Sequence, residues 1–388
     1  MTRDMNILIV ARWPLGGIRT YIRYTYGHVS ETCRITIVAP ETHELQALRQ
    51  DAARLGAELV TCGDGCARIA KAVHTELRRT SYSIVHSQGF ISAATSYPAC
   101  RLAGVPNVLT LHGILEERLL SGWKGSMKRA ALSSIVRRLD GIHAVSNDIL
   151  KNVENDIPGL RQDHPPRTVI ENGIDTAWFA GCRLTHASLR HELGIADHEF
   201  VFGFLGRMMP QKGFDILMDA AGMLAAENRR FRILAAASGD YVRESCEKIR
   251  CRGLYDLFTI IPFQADPRRV YAAVDTLVMP SRWEAWGLVA VEALCSGTPL
   301  IASSCLGLRE SLANTPAVMV PPENPQALAD AMRAAMDTRR DTSARSQAFT
   351  AEACARFDSR KSTNRLLEFM NTVIANQRNA SRPKRTAA

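Results

Sequence analysis

Short runs rich in Val, Ile and Leu alternate along this chain with stretches of helical period, and the alternation occurs twice. In the first half the runs lie at 6–10, 34–39, 83–86, 107–111, 141–145 and 168–170. In the second half they lie at 200–205, 231–236, 258–261, 276–279, 300–302 and 317–320. Most are apolar at successive positions, the mark of strands covered on both faces in a parallel sheet. Between many of them, apolar residues recur at helical spacing, as at Phe214, Leu217, Ala221 and Leu224. Gly297 followed by Pro299 stops the helix after Val289. This pattern predicts an α/β chain of two doubly wound, Rossmann-like domains. The polar segment 176–196 interrupts the alternation and is predicted as the linker. That gives an N-terminal domain at 1–178 and a C-terminal domain at 179–358, followed by a helical stretch at 359–375. A basic tail at 376–388, with Arg378, Arg382, Lys384 and Arg385, is expected to be disordered.

Several function classes are disfavoured. No segment approaches the ~18 consecutive apolar residues of a membrane-spanning helix. The start, MTRDMNILIVARWPLGG, reads as a buried strand running into a glycine loop, not as a secretory signal, so a cytoplasmic location is expected. Ten cysteines are scattered, and the Cys62/Cys66 and Cys246/Cys251 spacings suit neither a zinc knuckle nor a redox dithiol. Reduced thiols and no structural metal are expected. The net charge of +9 favours anionic partners, but no nucleic-acid reading motif accompanies it.

Three features point to a phosphate-bearing ligand. In GFLGRMMPQKGFDILMDA a strand ends at Leu205, Gly206 allows a tight exit, and Arg207 and Lys212 precede a helix starting near Phe214. Two cations beside helix-start amides suit a diphosphate, a solvated basic loop being the alternative. Gly16 and Gly17 follow the first strand, where paired glycines allow close backbone approach. No acid stands where a dinucleotide ribose would need one, so a nicotinamide cofactor is disfavoured, and a plain turn remains an alternative. In SRWEAWGLVAVEALCSGTPLIAS, the amides of Gly287 and Leu288 are placed at a helix mouth that favours an anion. Glu284 lies before that mouth and Glu292 about 6 Å along the axis from Leu288. Carboxylates there suit hydroxyls flanking a phosphate. A nucleoside diphosphate sugar has that chemistry.

GRMMPQKG, the 281–303 segment and LGLRE, with LHG at 111–113, AVSN at 144–147 and ENGID at 171–175, resemble the retaining glycosyltransferases of family 4 (group 1). The resemblance implies the GT-B fold: two Rossmann-like domains facing a cleft, with a C-terminal helix crossing back to the N-domain. It implies that Arg207 and Lys212 neutralise the donor diphosphate, that Glu292 binds the ribose and that Glu284 contacts the transferred sugar. Backbone at Trp286, Gly287 and Leu288 would meet phosphate and sugar, Gly16 and Gly17 the phosphates, and Pro262 and Phe263 the base. His112 would face the sugar at the reaction centre, while His86 and His143 read as structural. Three departures stand out: Trp286 in place of Phe, a larger apolar side chain expected to alter the sugar pocket; Gln88 where a second histidine is frequent; and Leu306-Gly307-Leu308 where paired glycines are expected.

The implied activity is retaining, metal-independent transfer from a UDP- or GDP-linked sugar to a hydroxyl of a glycan or lipid-linked acceptor. Cell-surface polysaccharide or lipopolysaccharide biosynthesis is the implied setting. A sugar-nucleotide epimerase and a non-catalytic nucleotide-sugar-binding partner are the alternatives. No cofactor beyond the substrate is implied, and nucleic acid is not an expected partner. The segment from Ser121 to Leu139 carries Lys124, Lys128, Arg129, Arg137 and Arg138 and no acid. The resemblance implies an anionic membrane as its partner, on the inner face. Its stripe of Leu132, Ile135, Val136 and Leu139 reads equally as a core-facing helix with a wet basic back.

Overall fold

The structure is a computed structural model that describes residues 5–29, 33–42, 45–115, 121–157, 160, 165–182, 188–227, 229–239 and 241–380. It forms two compact units, Met1–Gly173 with Ser359–Ala388, and Ile174–Asp358.

The first unit holds a parallel sheet of β1 (Met5–Ala11), β2 (Cys33–Pro40), β3 (Glu58–Cys62), β4 (Ile84–Gln88), β5 (Asn107–Leu111), β6 (Gly141–Ala144) and β7 (Arg167–Val169), in the order β3-β2-β1-β4-β5-β6-β7. The second holds β8 (Phe200–Arg207), β9 (Phe231–Ser238), β10 (Phe258–Pro262), β11 (Thr276–Met279), β12 (Leu300–Ser303) and β13 (Val318–Val320), in the order β10-β9-β8-β11-β12-β13. All registered pairs are parallel. The strand order reverses between β1 and β4 and between β8 and β11. In open parallel sheets, ligands bind at the carboxyl ends of strands at such a reversal. Arg12 to Gly17 follow β1, Gly89 follows β4 and His112 follows β5. Arg207 ends β8, and Pro280 and Ser281 follow β11.

The doubly wound expectation holds for both sheets, with one strand added. β3 was not anticipated because Glu58 is exposed and the other four residues are half-buried, so it lacks the solid apolar run of its neighbours. The passage between units also differs from expectation. It falls after Gly173, five residues before the predicted boundary. Ile174 pairs with Asp358 and its amide bonds the Phe357 carbonyl at 2.9 Å, so the two chain passages lie side by side in the second unit. The segment taken for a linker starts with a helix, Thr176–Phe179, capped by Asp175. Phe179 is fully buried, 5.9 Å from the Tyr271 ring. Residues 183–187 of that segment lie outside the described residues.

The last helix, Ser359–Ala380, belongs to the first unit. Leu366, Met370 and Val373, spaced for one helical face, enter the core around Ile22, Tyr26 and Ile170. Thr363 donates to the Thr25 carbonyl at 2.7 Å, and Arg365 to that of Val169 at 3.0 Å. The helix therefore takes in 376–380, which were expected to be disordered. Residues 381–388 of that tail lie outside the described residues.

The helix Gly122–Val136 is not core-facing along its length. Val136, with Leu139 just beyond it, is buried, and Leu132 and Ile135 are half-buried. Its first half leaves Trp123 71% and Met127 64% exposed beside Lys124 and Lys128. No helix among the described residues is long and apolar enough to cross a membrane.

Candidate functional site

In the second unit, β8 delivers Arg207 to the surface at its carboxyl end, where the side chain has no ion-pair or hydrogen-bond partner among the described residues. The chain then makes a 3-10 turn, Pro210–Lys212, and enters the helix Phe214–Ala226 through Gly213. Gly213 has φ +66, and a Cβ there would stand 2.0 Å from the Pro280 carbonyl oxygen. This approach brings the turn against the loop after β11. Lys212 Nζ meets Glu284 Oε1 at 2.7 Å, and Ser281 Oγ donates to the same oxygen at 2.8 Å. Expected as separate contacts to diphosphate and sugar, Lys212 and Glu284 form one ion pair, half-buried on the Lys212 side and buried on the Glu284 side. The ammonium has three protons, so bonding Glu284 leaves two for phosphate oxygens.

Arg282 braces this pair. Its fork grips Asp215 at 3.0 and 2.8 Å, its Nε donates to Glu323 at 3.0 Å, and Nη1 also reaches the Pro210 carbonyl. Its amide donates to the Gln211 carbonyl at 2.8 Å, and Gln211 Nε2 returns a bond to Trp283 O at 3.0 Å. The guanidinium holds the Asp215 carboxyl below its usual range. Replacing Arg282 with alanine unties both loops, and kcat/KM for the transfer that the sequence resemblance implies is expected to fall about 10–100-fold, as misplacement of a binding group does. Lysine, lacking the planar fork, is expected to restore only a minor part. Steady-state kinetics on the three proteins checks this.

The helix Leu288–Cys295 starts after Gly287, and the amides of Gly287 and Leu288 have no acceptor among the described residues. Its mouth therefore has the donors expected for an anion. Trp286 is enclosed by the fold. Its side chain is 1% exposed, with its ring 6.4 Å from Phe357 and its indole Nε1 without a partner among the described residues. Its bulk lies buried behind the mouth, which leaves its backbone for a ligand. Glu292 is also buried, and its Oε2 accepts from Tyr271 Oη at 2.7 Å. Any ribose hydroxyl would share the carboxylate with that phenol. At the end of β10, Gln264 Nε2 donates to the Pro262 carbonyl at 2.9 Å, while Phe263 is 59% exposed. The single glycine at 307 has a structural reason. Glu284 N donates to Leu306 O at 3.0 Å, and a Cβ on Gly307, at φ +80, would stand 2.2 Å from Glu284 O.

In the first unit, Gly16 has φ 51 and caps the helix Gly17–Tyr26. No atom lies within 4 Å of where a Gly17 Cβ would be, so packing does not demand glycine there. His112 Nε2 lies 2.7 Å from Gln88 Oε1, and the Tyr21 ring meets its ring edge-on at 4.7 Å. Behind it, β4, β5 and β6 bury a polar row of His86, Thr110 and His143. His143 Nε2 must donate to the Ile170 carbonyl at 2.9 Å, so its Nδ1 accepts from Thr110 Oγ1 at 3.0 Å. His86 Nε2 then donates to Thr110, and Tyr26 Oη donates to His86 Nδ1. Every ring nitrogen of the pair is satisfied, which gives His86 and His143 a structural role.

Burial in the core holds His86 and His143 neutral, His86 well below 6.5 and His143 at about 4, while the half-buried His112 is also pushed down. The unfolded chain takes up these protons near pH 6.5, and the folded one only well below that. The stability these groups contribute is therefore fully present above pH 6.5 and falls with decreasing pH, by about 1.4 kcal/mol per pH unit for each of the two core histidines, His86 and His143. Urea unfolding at pH 7 and pH 5 checks this, and His143→Gln is expected to lose less between the two.

Residues 199–338 match the family model described as Glycosyl transferases group 1, and residues 15–178 that described as Glycosyltransferase Family 4. The chain belongs to the family 4 glycosyltransferases. A D-inositol 3-phosphate glycosyltransferase of Rhodococcus erythropolis is 31% identical over 265 residues, 64% of this chain and 59% of the relative. One of Segniliparus rotundus with the same name is 30% identical over 249 residues, 60% of this chain and 53% of the relative. The chain thus spans less than two thirds of these relatives. Anabaena HepE in complex with UDP-glucose superimposes with a TM-score of 0.80 at 22% identity, covering 95% of this chain and 100% of that one. Sucrose-phosphate synthase from Thermosynechococcus elongatus gives 0.81 at 15% identity, covering 96% and 100%. At these identities the likeness shows the GT-B fold.

In this family 4 chain the sequence motifs did not disclose Ser281, Tyr271 or Arg282. Ser281 and Arg282 lie inside the motif, but as a hydroxyl and a cation beside a loop they carry no sign of their partners. Tyr271 is 21 positions from Glu292, and no local pattern links them.

Proposed function

We propose that this chain is a retaining glycosyltransferase that moves a sugar from a nucleoside diphosphate to an acceptor hydroxyl. The observation that carries the reading is the cationic mouth of the second unit: Lys212 held at Glu284, Arg207 without a protein partner, and the open amides of Gly287 and Leu288. When the sugar leaves, negative charge grows on the β-phosphate. Fixed donors aimed at that charge need no reorganisation during the reaction, which makes them effective there. These groups do the work a divalent ion would do, so the proposed reaction is metal-independent. Departure and attack occur on one face, with a donor phosphate oxygen taking the acceptor proton. Arg207 and Lys212 hold the phosphates, and Glu284 faces the sugar with its remaining acceptor capacity. Glu292 accepts from the ribose, and His112 bonds a sugar hydroxyl.

UDP- and GDP-sugars are the proposed donors, and the binding of UDP-glucose by HepE supports the first. The proposed acceptor is a glycan or lipid-linked hydroxyl in cell-surface polysaccharide assembly. The relatives' names favour a second outcome, a phosphorylated polyol. Exposed Trp123 and Met127 among the cations of their helix support docking at an anionic membrane on the cytoplasmic face. Flotation with anionic vesicles is expected to carry the wild type, and Trp123→Ser/Met127→Ser to reduce it severalfold.

A thermal-shift panel of UDP-, GDP- and ADP-sugars tests the donor reading. A ligand at about 100 times its Kd adds about 2.7 kcal/mol of stability, a readily measured shift. A panel in which no sugar nucleotide shifts the transition contradicts the proposal.

A further inference from the structure

We infer that Gln88 selects the tautomer of His112, keeping the proton on Nε2 so that Nδ1 meets a ligand as a hydrogen-bond acceptor and reads a hydroxyl donor. The inference rests on the preceding reading only for the identity of that ligand, a sugar nucleotide or its acceptor.

Three contacts carry it. Gln88 closes β4 and His112 follows β5, its neighbour in the sheet, so their side chains meet at the carboxyl end of the strands. Gln88 Oε1 lies 2.7 Å from His112 Nε2. An amide oxygen only accepts, so the imidazole nitrogen facing it must carry the hydrogen. The amide cannot simply be reversed, because Gln88 Nε2 donates to the His86 carbonyl at 3.4 Å. Reversal would put an oxygen against that carbonyl oxygen. With Nε2–H committed, Nδ1 keeps its lone pair, and it has no partner among the described residues.

The surroundings keep the ring neutral. Tyr21 from the helix Gly17–Tyr26 stands edge-on to it, and His86 on β4 and His143 on β6 are themselves neutral. Burial and the neighbouring His143 push His112 down to about 3. An imidazole held neutral in one tautomer cannot act as a general acid at working pH. It distinguishes a ligand that offers O–H from one that offers only an acceptor, and Gln88 is the positioning residue that sets this preference.

The tautomer can be observed without any ligand. Histidine-selective 15N labelling of the full chain, with His112 assigned by its loss in His112→Asn, reports which ring nitrogen is protonated. The wild type is expected to show Nε2–H, and His112 not to titrate between pH 5 and 8. Gln88→Leu removes the acceptor, and the Nδ1–H form is expected to gain at least tenfold in population relative to Nε2–H. Gln88→Glu keeps an acceptor at the same place and is expected to retain the Nε2–H form while moving the titration of His112 upward by at least one pH unit. A merely structural Gln88 would not produce this ordered pair of changes. A wild type with Nδ1–H, a cationic ring at pH 7, or an unchanged tautomer in Gln88→Leu overturns the inference. A donor panel without a binder contradicts the proposed function and leaves the tautomer result standing.

Discussion

Lys212→Ala is expected to lower kcat for sugar transfer about 10²–10³-fold, the usual cost of losing one fixed donor to a developing oxyanion. The effect is not local charge alone. Glu284 is 5% exposed, and Lys212 supplies one of the two side-chain bonds to its Oε1, Ser281 the other. Removing the ammonium leaves that carboxylate buried with a neutral donor, at a stability cost of about 1–3 kcal/mol. Lys212 is 21% exposed, so water enters its place and keeps the loss below that of a fully buried pair. Lys212→Met/Glu284→Gln removes both charges and is expected to recover most of the stability while leaving transfer as low as in Lys212→Ala. Stability from urea unfolding, set beside kcat for the single and double variants, separates the two roles. Recovery of transfer in the double variant would show Lys212 to be a partner for Glu284 and nothing more.

Gly213→Ala is expected to destabilise the second unit by about 2–5 kcal/mol. A left-handed backbone costs an L-residue about 1–2 kcal/mol, and overpacking adds about 1–3. Both apply here: φ is +66, and the new methyl would stand 2.0 Å from the Pro280 carbonyl. The obstacle is backbone, which cannot swing aside as a flexible side chain can. Relief requires the Lys212 turn to move off the Ser281 loop, so transfer is expected to fall with stability. Gly307→Ala acts on the other side of the same loop, where the methyl would stand 2.2 Å from the Glu284 carbonyl. Gly17→Ala is the matched control, with no atom within 4 Å of its Cβ position, and is expected to change stability by less than about 1 kcal/mol. Thermal unfolding of the three variants checks the order.

How far the sequence discloses this molecule depends on where the information is stored. Strands buried on both faces declare themselves as apolar runs, and all but one were visible that way. β3 escaped because in Glu-Leu-Val-Thr-Cys no residue is fully buried and only Leu59 and Val60 form an apolar run, too short to stand out. The Thr176–Phe179 helix was hidden because four residues are too few to show a helical period, although Asp175 two residues after a glycine is a helix-start signal, and its carboxylate does accept from the Trp178 amide. Motif spacing located Lys212 and Glu284, but they are 72 residues apart and bond because β8 and β11 are neighbours. Spacing records which residues recur and not which ones touch. The same limit applies to Trp286: a large aromatic beside a helix-start glycine reads as pocket wall, and its burial against Phe357 follows only from the fold.

The claim at the centre is that Arg207, Lys212 and the mouth of the Leu288–Cys295 helix bind the diphosphate of a sugar nucleotide. Calorimetric titration with UDP and UMP, GDP and GMP, and ADP and AMP tests it most directly, because each pair differs by one phosphate. For one base, the diphosphate is expected to bind at least tenfold more tightly than the monophosphate, and that ratio to collapse toward one in Arg207→Ala/Lys212→Ala. Equal affinity for every pair, or a ratio that survives the double replacement, would contradict it.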